Sequence, residues 1–267
     1  MTSGRTREPA RPGKGTLSSL QAVDIGQSGA AQAIRAALRR AGIEISRYPA
    51  ATTLEGHLRQ LLRALAIGCV LDVGAHRGEY GTLLRRIGYQ GRIVSFEPNP
   101  AEHEIVARVA SSDSRWEARQ VALGSDTRSR LLNVAASTDL ASFLQPSERG
   151  EQYFAEAISK RENVMVEVST LADVLSELEL TEPVFLKTDT QGFDLEVLRG
   201  ASDRLGDLAG VQAELALVPA YDQAPRYLEV LDYMEKYGFE VTGFFPVLRD
   251  LQRLTLLEVD CIWRRPR

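Results

Sequence analysis

Four residues near the first third of the chain have types and spacings that suit a nucleotide site: Asp72, Gly74, Gly78 and Glu97. Glu97 follows Gly74 by about twenty residues, the offset at which an acid ending a second strand reaches a ribose hydroxyl. The dinucleotide fingerprint G-x-G-x-x-G is broken here, because Ala75 follows Gly74 and the next glycine is Gly78. Asp72 brings negative charge to the turn, which is unhelpful for a pyrophosphate and suits a cofactor carrying an amino group and a sulfonium. A second set, Lys187, Asp189, Asp194 and Glu214, supplies a cation and three acids. Such groups can take a proton from an attacking hydroxyl, anchor an acceptor, or hold a hard divalent cation such as Mg²⁺.

The elements that must position them are legible from periodicity. Val70, Leu71 and Val73 form an apolar run of strand length, and Tyr80, Leu83, Leu84 and Ile87 recur at helical spacing, before a second strand over 92–96. Upstream, Thr53 predicts the N-cap of a helix through Leu65, with His57 one turn in, either on a partly exposed face or touching substrate. Downstream, 100–110 reads as a helix with Ile105, Val106 and Val109 inward, and 116–123 as a third strand with Ala122 near its end. Residues 131–135 and 163–168 read as an inserted hairpin, and the polar stretch 136–160 between them as a lid over the acceptor pocket.

Further on, Thr170 caps a helix over 171–178, and strands follow at 184–188 and 211–217. A helix over 225–236 carries Tyr227, Leu228, Leu231, Met234 and Tyr237 inward, before strands at 239–245 and 255–263, the last antiparallel. Alternating strands and helices of this kind give a mostly parallel α/β sheet covered on both faces. Residues 1–29 read as a disordered or cloning-derived tail, 30–66 as an N-terminal helical extension, and 67–267 as the domain that carries the chemistry.

Composition narrows the classes. The chain has 267 residues and a net charge of −4, without a dominant basic patch, so nucleic acid is not an expected partner. No stretch has the length of a membrane span, so no membrane is expected either. Its two cysteines, Cys69 and Cys261, fall in core strands, which fits a reducing cytoplasm.

Taken together, the quoted residues resemble the FkbM family of S-adenosylmethionine-dependent methyltransferases. The matching pieces are Leu71-Asp72-Val73-Gly74-Ala75 with Gly78, Phe96-Glu97-Pro98-Asn99-Pro100, the run Leu186 to Asp194 continuing into Val197 to Ala201, and Val259 to Arg264. His76 departs from the family's usual Asn, and Asp194 from its common Glu. The resemblance implies a Rossmann-like class I methyltransferase, with a seven-stranded sheet whose last strand is antiparallel and with helices on both faces. It further implies methyl transfer from S-adenosylmethionine to oxygen, often on sugars or natural products of polyketide type.

The cofactor contacts it implies are Asp72, Gly74, Ala75, Gly78, Glu97, Pro98, Ala122 and Asp189. For catalysis the candidates are Asp189, as base or acceptor anchor unless it caps the next helix, and Lys187, a buried amine expected to pair with Asp189 or Glu214. His76 is a third, as a base or, preferably, in positioning the methionine portion. Asp194, Glu214, Tyr221 and His57 are candidate acceptor contacts, and Asp189, Asp194 and Glu214 a candidate Mg²⁺ set. A small hydroxylated molecule is the expected partner, with a homodimer left open as the assembly. Two other classes stand beside this one: an NAD(P)-dependent oxidoreductase, disfavoured by the missing glycine and the lack of a Tyr-x-x-x-Lys dyad, and a non-catalytic nucleotide-binding scaffold.

Overall fold

The computed structural model describes residues 37, 38, 40, 41, 52–158, 162–178 and 180–266. The tail expected over 1–29 lies outside them. The chain divides into two compact units, Met1–Arg47 and Tyr48–Arg267. In the first, Ala37, Leu38 and Arg40 are helical, and the helix ends as the Ala41 amide donates to the Leu38 carbonyl at 3.0 Å.

The second unit is built on a seven-stranded sheet. Its strands are β1 (Cys69–Val73), β2 (Arg92–Phe96), β3 (Trp116–Arg119), β7 (Val184–Thr188), β8 (Leu208–Ala216), β9 (Glu240–Asp250) and β10 (Thr255–Arg264). They lie in the order β3-β2-β1-β7-β8-β10-β9. Neighbours from β3 to β8 pair in parallel, and β10 is antiparallel to both β8 and β9. This is the sheet the sequence predicts.

Side chains alternate across it, as the two-residue period of a strand requires. Cys69, Leu71, Val73, Val94, Phe96, Val184 and Leu186 enter one core. That core is covered by α5 (Leu171–Glu177), α6 (Asp194–Arg199) and α7 (Tyr227–Lys236). Val70, Ile93 and Phe185 point the other way, into a core closed by α1 (Leu54–Ala64), α2 (Glu79–Arg86) and α3 (Pro100–Ala110). Leu58, Leu61 and Leu62 of α1 are buried there, and α1 lies within the second unit. Thr53 caps it, its hydroxyl accepting from the Gly56 amide at 3.2 Å.

Local readings change in three places. The run 116–123 is not one strand: it breaks after Arg119, and β4 (Ala122–Gly124) joins a second sheet. There β4 pairs in parallel with β6 (Glu162–Thr170), and β6 pairs antiparallel with β5 (Arg128–Val134), setting Leu131 opposite Met165 in the expected hairpin. In α3, Val109 faces solvent and Glu102 is buried instead, because Arg77 reaches its carboxylate at 2.8 Å. In α7, Val230 and Met234 are the buried residues, while Leu228 is exposed. Between β5 and β6 the chain forms a short 3₁₀ turn, Thr138–Leu140, and α4 (Glu148–Ile158).

Candidate active site

The carboxyl ends of the parallel strands open onto a cleft of about 830 Å³, within the roughly 300–1,000 Å³ range of small-molecule sites. Its first wall is the turn after β1. Gly74, His76 and Gly78 all have positive φ, at 76°, 46° and 88°. Gly74 is obligatory here, because a Cβ would stand 1.9 Å from the Asp189 carbonyl oxygen. The turn is tied to β2, since the Gly74 and Ala75 amides both donate to the Phe96 carbonyl, at 3.0 and 3.1 Å.

Glu97 closes this wall. Its carboxylate accepts from the His76 amide at 2.8 Å and the Asn99 amide at 2.9 Å. Burial pushes its pKa up to about 7 against the pull of those two amides. Pro98 and Ala122 also line the cleft. The insert supplies the facing wall through Thr138, Asp139, Ala141, Ser142 and Phe143. His76 Nε2 lies 2.9 Å from the Thr138 hydroxyl, and Ser142 Oγ donates to the Gln191 carbonyl at 2.7 Å.

Strand register lays a polar row across the sheet, of which Lys187 and Gln212 line the cleft floor. Ser95, Asp72, Lys187 and Gln212 are successive lateral neighbours on β2, β1, β7 and β8. Trp116 Nε1 donates to Ser95 Oγ at 3.0 Å, and Ser95 Oγ to Asp72 Oδ2 at 3.0 Å. Lys187 Nζ stands 3.4 Å from Asp72 Oδ1 and 3.5 Å from Asp189 Oδ2, and donates to the Gly74 carbonyl at 3.1 Å. Burial opposes the ammonium, but Asp189 and Asp72 outweigh it and raise the Lys187 pKa. Lys187 is therefore a fixed cation, 5.4 Å from the centre of the Tyr80 ring. Asp72 does not line the cleft: it is fully buried beside Lys187 on the neighbouring strand.

Asp189 does reach it, with 37% of its side chain exposed. Its amide donates to the Val73 carbonyl at 3.0 Å, which fastens it to the glycine turn. It does not cap α6, whose N-cap is Phe193 with no side-chain bond; the Asp194 carboxylate instead ties the preceding loop, accepting from the Thr190 amide at 3.3 Å. Asp194 is buried behind the loop, away from the cleft, where burial and the charge of Asp189 raise its pKa to about 6. Glu214 and Asp260, opposite one another on β8 and β10, complete the floor. Burial and then Asp189 push Glu214 well above the carboxylate range; burial also lifts Asp260, to about 6.

Tyr221 lies behind the same loop, its hydroxyl donating to the Leu140 carbonyl at 3.0 Å and standing 3.2 Å from Gln191 Oε1. His57 is outside the cleft lining, packed on Phe245 at 5.3 Å and 2.9 Å from the Thr242 hydroxyl. Among the described residues no group of three or more His, Cys, Asp or Glu side chains is arranged to hold a metal ion. The expected Mg²⁺ set of Asp189, Asp194 and Glu214 is therefore corrected: Asp194 is buried off the cleft lining, its carboxylate bonded to the Thr190 amide. Sequence reasoning did not single out Tyr80, Thr138, Ser142, Gln191, Gln212 or Asp260, all of which line the cleft. Gln191 and Asp260 did fall within the runs that carry the family resemblance.

Five parallel strands followed by an antiparallel hairpin edge, with a glycine turn and an acid at the ends of adjacent strands, define a Rossmann-like methyltransferase fold. A model of the methyltransferase FkbM domain matches residues 72–241, more than half of the chain, and the chain belongs to that family. It is 27% identical over 196 residues to methyltransferase sdnD of Sordaria araneosa, a match covering 65% of this chain and 74% of that protein. It is 26% identical over 183 residues to methyltransferase 1 of Beauveria bassiana (strain ARSEF 2860), covering 64% and 72%. Among solved structures, the methyltransferase domain of bacterial CtHen1-C aligns at 11% identity with a TM-score of 0.43, over 81% of this chain and 98% of that one. The fold assignment rests on strand order rather than on that score.

The protein is thus an S-adenosylmethionine-dependent methyltransferase, and the nicotinamide and scaffold alternatives fall away. The cleft residues fit the cofactor. Glu97 offers a carboxylate to hydroxyls beside the glycine turn, and Asp189 brings a second carboxylate to the floor. Among the described residues no helix is long and apolar enough to cross a membrane.

Proposed function

We propose that this methyltransferase acts on a hydroxyl oxygen of a small metabolite, with a sugar-bearing or polyketide-type compound as the acceptor class and Asp189 as the group that takes the proton. One observation carries the reading. Asp189 is the half-exposed carboxylate on the cleft floor whose backbone is fastened to the glycine turn, through Val73 on one side and against Gly74 on the other. An acceptor held by Asp189 is thereby held in fixed relation to the cofactor wall, which is what an in-line displacement demands. S-adenosylmethionine supplies an electrophilic methyl on a sulfonium, so the protein's task is placement and proton removal.

Lys187 serves as the fixed positive partner of Asp189, not as a base, since its pKa is raised. His76, engaged with Thr138 and 3.2 Å from Glu79, shapes the cofactor wall. Asp194 and Tyr221 hold the loop that carries Gln191. We place neither nucleic acid nor membrane among the partners, in keeping with the net charge of −4, and the cytoplasm is the proposed location.

The test is transfer from methyl-labelled S-adenosylmethionine to a panel of sugars and hydroxylated lactones, with the methylated atom located by NMR. Methyl on oxygen is expected, with Asp189→Asn lowering the rate about 10²–10⁴-fold while S-adenosylhomocysteine still binds. Methyl on nitrogen or carbon, or an Asp189→Asn rate equal to wild type, refutes the reading.

A further inference from the structure

Gln191 has backbone φ of 51°, a conformation that costs an L-residue energy and that glycine adopts freely. Gly192 follows directly, yet position 191 keeps a long side chain. That side chain is fully engaged. Nε2 lies 3.3 Å from Asp189 Oδ1 and 3.5 Å from Glu214 Oε1, so the amide stands between the two cleft carboxyls. Oε1 lies 3.2 Å from the Tyr221 hydroxyl, and the backbone carbonyl accepts from Ser142 of the insert. Strained backbone persists where surrounding contacts over-determine it, and such residues cluster at functional sites.

We infer that Gln191 is the positioning residue of this site: its amide fixes the Asp189 carboxylate relative to Glu214, and its backbone links that carboxylate to the insert that walls the cleft. The inference rests on the proposed role of Asp189. An amide suits the position and an acid does not, because a carboxylate there would add a third acid beside Asp189 and Glu214. The other charged or titratable groups around the pair are Lys187 from β7, Asp194 from α6, Glu258 and Asp260 from β10, and Tyr221 from the loop before α7. Among them Lys187 is the cation, and it stands on the Asp72 side of Asp189. Gln191 is the amide donor on the Glu214 side.

The experiment uses the full chain labelled with ¹³C at Asp and Glu carboxyls, with S-adenosylhomocysteine as the probe. Gln191→Gly relieves the backbone while losing the amide contacts, and is expected to stay folded and to bind the probe within about threefold of wild type. The titration midpoint of Glu214 is nonetheless expected to move up by about one pH unit as the donor is lost. Gln191→Glu is expected to move it up further. Methyl transfer to the acceptor found by the screen falls about tenfold or more in both variants, in kcat rather than in KM for S-adenosylmethionine. A merely structural glutamine leaves the Glu214 midpoint in place, and a midpoint unchanged in the two variants overturns the inference. So does a Gln191→Gly variant that unfolds, since it contradicts the strain. A wild-type rate in Asp189→Asn refutes the proposed base instead, so the two failures are separable.

Discussion

Replacing Lys187 by methionine removes the cation from beside a carboxylate that has no access to water. Asp72 is fully buried, and its polar neighbours are Lys187 at 3.4 Å and the Ser95 hydroxyl at 3.0 Å. Methionine nearly preserves the shape of the lysine stem, so the loss is electrostatic rather than a cavity. Removing one partner of a buried pair costs about 3–5 kcal/mol, because the other charge stays behind uncompensated. Burial already raises the Asp72 pKa against the pull of Lys187 and Ser95, and without the lysine it rises further.

An acid whose folded pKa lies above its unfolded value binds more protons when folded, so stability falls as pH rises toward the folded pKa. The Lys187→Met deficit is therefore expected at about 3–5 kcal/mol at pH 8 and to shrink to about 1–2 kcal/mol at pH 5. Urea unfolding at the two pH values measures it. Asp72→Asn in the same chain should restore at least half of the loss and remove the pH dependence. A deficit under about 1 kcal/mol at pH 8, or one that does not change with pH, refutes the reasoning.

Three further outcomes follow from the same geometry. Gly74→Ala drives a Cβ to 1.9 Å from the Asp189 carbonyl oxygen at φ of 76°; we expect a loss of about 3 kcal/mol or more in urea unfolding, with S-adenosylhomocysteine binding lost. Glu97 has a pKa of about 7; its ionised form accepts hydroxyls, so affinity for S-adenosylhomocysteine should weaken as pH falls from 8 to 6, and Glu97→Gln should flatten that profile. Because the Glu97 pKa is raised above its unfolded value of 4.5, its contribution to stability should be present below about pH 4.5 and be lost as pH rises through 7. Tyr221→Phe leaves the Leu140 carbonyl without its donor and should cost about 1–3 kcal/mol of stability.

Much of this site could be read in the sequence, because local rules fix it. The strand-turn-helix-strand from Cys69 to Glu97 follows from apolar runs and two glycines, and the structure keeps it to within one residue at the helix ends. What failed depends on long-range partners. Val109 and Leu228 fit an apolar stripe, yet both face solvent; Glu102 takes an inward place because Arg77, 25 residues away, meets it. Trp116 to Leu123 reads as one strand, but it breaks where β4 leaves to pair with β6, a partner about forty-five residues on that no local pattern announces.

The same holds for the chemistry. Asp189 and Asp194 look alike in sequence, and only the folded loop decides that one faces the cleft and the other is buried against the Thr190 amide. Gln191 and Thr138 carry no local mark, since their meaning comes from Glu214 and His76 across the fold. Asp72 shows the reverse case: the motif identifies it, and the fold buries it beside Lys187, off the cleft lining.

The decisive measurement is calorimetric titration of the wild-type protein and of Glu97→Ala with S-adenosylhomocysteine. The cleft described here predicts that wild type binds and that the substitution weakens binding by about 1–3 kcal/mol, roughly 5- to 150-fold, as a carboxylate acceptor is lost. A folded wild-type protein that does not bind, or a Glu97→Ala variant that binds as tightly as wild type, contradicts the assignment of this wall to the cofactor.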